Sequence, residues 1–230
     1  MRRQVRLWRR GLTVLAVFAA AGCSATADMG SDGAPGPEPS PTASAGTLPG
    51  LPTGQEARKE LSGLAVAAQG SMAGYSRDKF PHWAEQGDSC STREVVLERD
   101  GKDVRRDDEC RPLSGTWAGV YENKSFTDPE GLDIDHTVPL ANAWRSGARS
   151  WTEERRKAFA NDLTHPQLLA VSAATNRAKG DQGPDEWRPP AKTYWCVYAR
   201  SWVSVKTTYE LSVTDAEKRE LGSMLGTCSP

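Results

Sequence analysis

GLDIDHTVPL, residues 131–140, alternates apolar with polar side chains, the apolar ones being Leu132, Ile134 and Val138. A period of two over such a length predicts a short strand with one buried face. Charged residues are seldom kept in a strand that feeds a core, yet this strand carries Asp133 and ends in Asp135 and His136, with Pro139 close behind. We therefore expect it to deliver polar side chains to a functional site.

A second polar motif follows further along the chain. The short apolar run from Leu168 to Val171 leads into a brief helix predicted over Ser172 to Lys179, and Gly180 is suited to end that helix. Asn176 and Lys179 lie three residues apart on it, so that they share one face. The two motifs together place two carboxylates, an imidazole, an amide and an ammonium in a short part of the chain.

This set of side chains fits the hydrolysis of a phosphodiester, which needs a base to deprotonate water and a cation to neutralise the phosphate. His136 suits the base because the ordinary pKa of histidine lies near neutral pH. Asp135 and the Asn176 carbonyl offer hard oxygen ligands for a divalent ion. Lys179 is interpreted either as a contact to phosphate or as a helix-terminal cation that meets the helix dipole.

An aromatic-rich stretch upstream, YSRDKFPHW from Tyr75 to Trp83, adds further polar candidates. Arg77 and His82 lie within it, and Arg93 follows shortly after. A phosphate contact by Arg93 is one interpretation, and a structural ion pair is the other.

The spacing of these elements resembles the HNH endonucleases of the ββα-metal (His-Me finger) fold. The matching elements are Asp135-His136, Pro139, Gln167-Leu168, Asn176 nine residues beyond Gln167, and Lys179-Gly180. More narrowly, the segments LDIDHTVPLANAW, RKAFANDLTHPQLLAVSAATNRAKGD and GPDEWRPP resemble secreted proteins of the DUF1524 group, over roughly residues 70–228. That group shares its nuclease module with the C-terminal domain of GmrSD-type restriction enzymes.

The resemblance implies an α+β fold with a ββα-metal core and flanking helices, to which the cysteine count discussed below adds disulfides. It implies a divalent-metal-dependent endonuclease in which His136 is the general base and Asp135 and Asn176 hold Mg²⁺ or Mn²⁺. The substrate would be nucleic acid, with DNA favoured over RNA. The middle position of the motif, which braces the loop that carries the histidine, falls on Gln167 by spacing, although Asn161 or His165 could take that role.

Two alternatives remain open at this point. The chain could be a cell-envelope binding lipoprotein that keeps the HNH fold without turnover, or a structural domain stabilised by calcium at Asp133 and Asp135. The sequence indicates no protein partner. Because the candidate side chains are expected to form a site rather than a core, we expect the fold to tolerate their replacement.

The N-terminal composition predicts export. Residues 1–23 combine five arginines with an apolar run from Gly11 to Ala21, as secretory signals do, and this run is too short to span a bilayer. Ala20-Ala21-Gly22-Cys23 resembles a bacterial lipobox, which implies a lipid anchor on Cys23 and attachment to the outer face of the cell membrane. Ordinary cleavage and secretion is the alternative.

Two further segments complete the predicted organisation. Residues 24–54 contain six prolines and almost no apolar side chains, which is typical of a disordered tether. Residues 55–230 have the length of one folded domain. Removal of the five arginines of the signal leaves 24 Lys and Arg against 30 Asp and Glu, a net charge near −6. A nucleic-acid binder more often has a basic excess, so binding here requires a local basic patch or a metal ion.

Cysteine usage agrees with export. Apart from Cys23, the chain has an even number of cysteines, which in an exported protein suggests disulfides. We favour Cys90–Cys110 and Cys196–Cys228, each local in the sequence. A four-cysteine zinc site is disfavoured because no pair has the close CxxC spacing that such sites use.

The remaining elements are predicted from periodicity and capping residues. Helices are expected over Gln55 to Gln69, over Trp151 to Phe159 with Thr152 as the N-cap, over Tyr194 to Tyr209, and after Thr214, where Glu217 completes a capping box. Strands are expected over Arg93 to Leu97 and over Trp117 to Tyr121, with Asp100-Gly101 as a hairpin turn.

Overall fold

The structure is a computed structural model that describes residues 48–229. The predicted signal, Cys23 and residues 24–47 of the predicted tether lie outside the described residues. Leu48 is buried in the core, and the Thr53 side chain accepts a hydrogen bond from the Glu56 amide at the start of the first helix. Residues 48–54 therefore belong to the folded domain.

Helices and short strands are mixed along the chain, as an α+β fold requires. The helices are α1 (Gly54–Gly63), α2 (Thr92–Asp100), α3 (Leu140–Arg145), α4 (Glu153–Ala160), α5 (Ala173–Lys179), α6 (Trp195–Thr208) and α7 (Asp215–Leu225). The strands are β1 (Glu85–Gly87), β2 (Cys90–Ser91), β3 (Gly101–Arg106), β4 (Pro112–Gly119), β5 (Lys124–Phe126), β6 (Leu132–His136) and β7 (Leu168–Ser172). Within residues 48–229, no helix is both long and apolar enough to cross a membrane.

The strands form small antiparallel sheets: β1 with β2, β3–β4–β5 in that order, and β6 with β7. In the β6–β7 sheet Asp135 lies opposite Leu169, and His136 lies opposite Leu168. The helix α5 begins directly after β7. The chain therefore has the order strand, strand, helix at the place where the polar motifs meet.

The β6–β7 sheet separates two apolar clusters. Leu169 and Val171 of β7 face the larger cluster, which contains most of the buried apolar residues of α1, α3, α6 and α7. Leu168 and Ala170, with Leu132 and Ile134 of β6, face a smaller cluster with α2 and β4. Because alternate residues of a strand point to opposite faces, burial on both faces fixes the register of this pair.

The predicted disulfides are present. Cys90 is bonded to Cys110, with their Cα atoms 5.1 Å apart, and Cys196 is bonded to Cys228, with a Cα separation of 5.0 Å. The second bridge ties the start of α6 to the segment after α7.

Capping residues mark several helix ends where the sequence predicts them. Thr152 caps α4, and Thr214 and Glu217 form the capping box of α7, as predicted; Ser172, predicted as the first residue of the helix, is instead the N-cap of α5. Gly180 follows α5 with φ +55°, a conformation that glycine adopts without steric cost.

One predicted strand is wrong. Arg93 to Leu97 lies in the helix α2, whose N-cap Ser91 forms a capping box with Glu94. That S-x-x-E signal outweighs the strand preference of Val95 and Val96. Asp100-Gly101 is consequently the junction of α2 with β3 rather than a hairpin turn.

Two other predicted boundaries shift. The first helix ends at Gly63 instead of Gln69, and Val66 beyond it forms a β-bridge with Val213. β4 begins at Pro112 and ends at Gly119, so it overlaps only the first part of the predicted strand from Trp117 to Tyr121.

Candidate functional site

The end of β6 sends its carboxylates and its imidazole to opposite faces. Asp133 and Asp135 share the face of Leu169 and Val171, toward α5. The ring of His136 lies instead beside Trp83, with 5.7 Å between ring centroids. The alternation of the strand therefore keeps the imidazole and the adjacent Asp135 carboxylate from pairing with each other.

Both carboxylate oxygens of Asp135 are held by buried partners. Lys179 Nζ lies 2.7 Å from Oδ1, and the Tyr121 hydroxyl donates to Oδ2 at 2.6 Å. The Lys179 ammonium also donates to the carbonyl of His136 at 2.9 Å. Asp135 and Lys179 are both buried, so we expect replacement of either one to destabilise the fold, contrary to the expectation from the sequence that the candidate side chains lie outside the core.

The contacts of His136 fix which ring nitrogen carries the hydrogen. Nε2 lies 3.0 Å from the carbonyl oxygen of Ala160, which can only accept, so Nε2 is the donor. Among the residues that the structure describes, Nδ1 has no hydrogen-bond partner. Burial lowers the pKa of His136 from 6.5 to about 3, against the opposing effect of the Ala160 hydrogen bond. The imidazole is therefore neutral near pH 7, with a lone pair on Nδ1.

The loop that contains Trp83 is clamped next to His136. The Asn161 side-chain amide donates to the Pro81 carbonyl at 2.7 Å, and its oxygen accepts from the Ala84 amide at 2.8 Å. Between these two contacts Trp83 adopts φ +60°, an uncommon conformation for a bulky residue. Asn161 directly follows Ala160, so one short segment holds both His136 and the Trp83 loop.

Asp133 and Asn176 form a second pair on the α5 side of β6. Asn176 Nδ2 donates to Asp133 Oδ2 at 3.2 Å, and both residues are partly exposed. Asn176 and Lys179, one turn apart on α5, thus contact the two carboxylates of the strand, Asp133 and Asp135 respectively.

Gln167 braces the loop after His136. Its Oε1 accepts from the Val138 amide at 3.1 Å, and its Nε2 donates to the Val138 carbonyl at 3.0 Å. Neither alternative for this position makes these contacts, since Asn161 holds the Trp83 loop and the His165 ring contacts Asp162 at 2.7 Å. Gln167 is therefore the residue with the bracing geometry.

Two predicted phosphate contacts do not have the required placement. Lys179 is fully enclosed and its ammonium is paired with Asp135, which leaves it no free donor for a phosphate at the surface, while its place in the last turn of α5 agrees with the interpretation as a helix-terminal cation. Arg93 Nη2 donates to the Leu132 carbonyl at 2.9 Å, which ties α2 to β6; Arg93 does not line the cleft described below and forms no ion pair within residues 48–229.

A cleft of about 310 Å³ opens beside the end of β6. Asp135, His136 and Asn176 line it together, which brings the central candidates of the sequence to one place. Arg77 and Arg177 line it as well. Tyr121 was not identified as a site residue from the sequence, because its contact with Asp135 depends on how separate elements pack together.

The oxygen donors of the cleft suit a hard divalent cation. Residues 48–229 contain no cluster of three or more His, Cys, Asp or Glu side chains placed to hold a metal. Asp135 and the Asn176 amide oxygen would be the two protein ligands of such an ion, since each Asp135 oxygen keeps a lone pair beyond its hydrogen bond. Mg²⁺ is commonly held by one or two carboxylates together with substrate phosphate and water, so this donor set fits such an ion.

This chain is similar to one known protein family and to one known protein. The model of the family "GmrSD restriction endonucleases, C-terminal domain" matches residues 94–224, which include β6, β7 and α5. An uncharacterized secreted protein from Arthroderma benhamiae is 50% identical over 216 residues, which cover 94% of this chain and 98% of the relative. No solved structure matched the chain.

The fold and the site define a disulfide-linked α+β domain with a nuclease-like motif. The chain belongs to the family of GmrSD restriction endonuclease C-terminal domains. This confirms the family resemblance, and the secreted relative supports export.

Proposed function

We propose that the chain is an exported nuclease that hydrolyses phosphodiester bonds in nucleic acid with His136 as the general base. The observation that carries this proposal is the fixed tautomer of His136 at a cleft shared with Asp135 and Asn176. The family supports the substrate class, because it is the family of the C-terminal domains of GmrSD restriction endonucleases. We favour DNA over RNA as the substrate.

His136 would accept a proton from water at Nδ1. Its Nε2–H bond to the Ala160 carbonyl orients the ring and stabilises the imidazolium that forms, as a base with a positioned partner does. The low pKa keeps Nδ1 unprotonated in the free protein. A bound phosphate would raise that pKa, because a nearby negative charge favours the protonated ring.

The other residues hold the geometry around the base. Lys179 fixes the Asp135 carboxylate and the His136 carbonyl in one contact, and Gln167 braces the backbone of Val138. Each of these contacts is enclosed, so the strand end is rigid before substrate arrives, which favours an oriented attack.

We also propose that Asp135 and Asn176 would hold Mg²⁺ or Mn²⁺. Such an ion, when bound, would neutralise developing charge on the phosphate. The Asp135 charge is already balanced by Lys179, so these residues alone would bind a cation weakly.

The N-terminal sequence supports export, and we propose that Cys23 carries a lipid anchor. Replacement of Cys23 by Ala should move the protein from the membrane fraction to the medium or leave it uncleaved. If wild type and variant were distributed in the same way between the membrane fraction and the medium, the protein would be secreted without a lipid anchor on Cys23.

The proposed activity is tested by incubating the purified chain with plasmid DNA and, separately, with a structured RNA, each with Mg²⁺, with Mn²⁺ and with EDTA. Cleavage that requires the metal and is lost in His136→Ala supports the proposal. His165→Ala is the matched control, since His165 contacts Asp162 outside the cleft and should keep activity. Absence of cleavage of both nucleic acids under all conditions would contradict the proposal and favour a binding protein.

A further inference from the structure

The cleft beside β6 has an uncompensated positive charge. Its two acidic lining residues are already neutralised, Asp135 by Lys179 at 2.7 Å and Asp181 by Arg145 at 3.0 Å. Two arginines also line the cleft, Arg77 and Arg177, and both are exposed. Neither forms an ion pair with any residue in the described range 48–229.

Arg77 is oriented by a neighbouring histidine. His82 Nδ1 lies 2.9 Å from the Phe80 carbonyl and must donate to it, which leaves Nε2 as an acceptor. Arg77 Nε donates to that Nε2 at 3.4 Å. The two terminal nitrogens of the guanidinium are thus left for a ligand. The His82 ring in turn packs against Trp83, at 5.2 Å between centroids.

Arg177 enters the cleft from a different element. It follows Asn176 on α5, whereas Arg77 lies in the turn before Phe80. The two cations are therefore contributed by independent segments that meet beside Asp135 and His136. This placement matters in a protein whose mature net charge is near −6, with 24 Lys and Arg against 30 Asp and Glu outside the signal.

The two guanidinium groups of Arg77 and Arg177 favour the binding of a polyanion. Guanidinium groups bind phosphate oxygens through paired N–H donors, and the two carboxylates that line the cleft, Asp135 and Asp181, are already paired with other cations. We propose that Arg77 and Arg177 bind the phosphates that flank the scissile one in a nucleic-acid strand, with His82 as the positioning residue of Arg77. This inference rests on the proposed nuclease function and assigns the substrate contacts of that same cleft.

The test measures cleavage and binding separately. Steady-state cleavage of a 12-nucleotide substrate is measured for Arg77→Gln, Arg177→Gln and, as a matched loss of charge, Arg219→Gln on the exposed face of α7. Binding of the same oligonucleotide is followed by fluorescence anisotropy in a His136→Ala background over a range of salt concentrations. His82→Phe, which keeps a ring beside Trp83 but removes the acceptor, tests the positioning of Arg77.

Contacts to flanking phosphates act equally before and during the reaction, so they should change KM rather than kcat. We expect each cleft variant to raise KM and Kd by about 5- to 20-fold, with kcat within about threefold of wild type. The salt slope should fall by roughly 0.7 for each lost contact to a single strand. His82→Phe should raise KM to a smaller extent, and Arg219→Gln should change neither value.

The possible results distinguish a failure of the proposed arginine–phosphate contacts from a failure of the proposed nuclease function. A wild-type chain that cleaves nucleic acid, with KM and salt slope unchanged in Arg77→Gln and Arg177→Gln, would overturn the phosphate contacts and leave the nuclease function intact. A fall in kcat alone would also overturn them, because it would place the arginines at the reacting phosphate. A wild-type chain that neither cleaves nor binds nucleic acid would overturn both.

Discussion

Lys179 Nζ lies 2.7 Å from Asp135 Oδ1, and the two side chains are only 0% and 4% exposed. The pair connects the last turn of α5 to the end of β6. A buried ion pair adds little net stability over apolar residues, but loss of one partner leaves an uncompensated charge. The residue that precedes the candidate base is therefore bound into the interior of the protein.

Replacement of Lys179 by Met should destabilise the fold by about 3–5 kcal/mol, because it leaves the buried Asp135 carboxylate without a counter-charge. Urea unfolding checks this, with Lys157→Met on the exposed side of α4 as the control. The double variant Asp135→Leu/Lys179→Met should recover much of the loss. A loss below about 1 kcal/mol for Lys179→Met would show that the pair is not enclosed.

The pH dependence of stability should report the buried imidazole. With a pKa of about 3 in the folded state and 6.5 unfolded, His136 takes up a proton on unfolding between these values, so stability is lost as the pH falls through this window. When the pH is lowered from 8 to 4, the free energy of unfolding of the wild type should fall by about 3 kcal/mol more than that of His136→Gln.

Chemical denaturation in EDTA measures this difference without a contribution from bound cations. Equal losses in wild type and His136→Gln would mean that the imidazole is accessible to protons in the folded state.

Gln167 should matter for both stability and geometry. Gln167→Leu keeps the volume but leaves the buried Val138 amide and carbonyl without partners, at about 1–3 kcal/mol for each group. The cost should appear in the unfolding free energy, and cleavage should slow as the loop after His136 loosens. Gln69→Leu is the control at an exposed position, and it should change neither the unfolding free energy nor the cleavage rate. Wild-type stability in Gln167→Leu would rule out the brace.

The Cys196–Cys228 bridge closes a loop with a sequence separation of 32. Its removal by Cys196→Ser/Cys228→Ser should lower the unfolding free energy by about 3–4 kcal/mol, through the greater entropy of the unfolded chain. Non-reducing peptide mapping checks the pairing independently. Free thiols at these positions, or a Cys90–Cys196 peptide, would contradict it.

Local signals in the sequence accounted for much of the fold. The alternation in β6, the capping residues of α4, α5 and α7, and the disulfide pairing could all be predicted from nearby residues. The capping box of Ser91 and Glu94 was also available, but β-branched residues favoured a strand instead. Local rules thus failed where two of them disagreed.

The partners of the site residues could not be predicted in the same way. The contact of Lys179 with Asp135 spans 44 positions, and the contact of Asn161 with Pro81 spans 80. Such contacts depend on how the elements pack, and they cannot be predicted from the spacing of residues along the chain. The sequence could name Lys179 as important but could not distinguish a phosphate contact from a buried counter-charge.

The role of His136 as the base is tested most directly by its single-turnover cleavage rate. With substrate bound in excess enzyme, His136→Ala should cleave about 10²- to 10⁴-fold more slowly than wild type, while His165→Ala remains near the wild-type rate and the thermal melting of both variants shows a folded protein. A folded His136→Ala that cleaves at the wild-type rate would contradict the account.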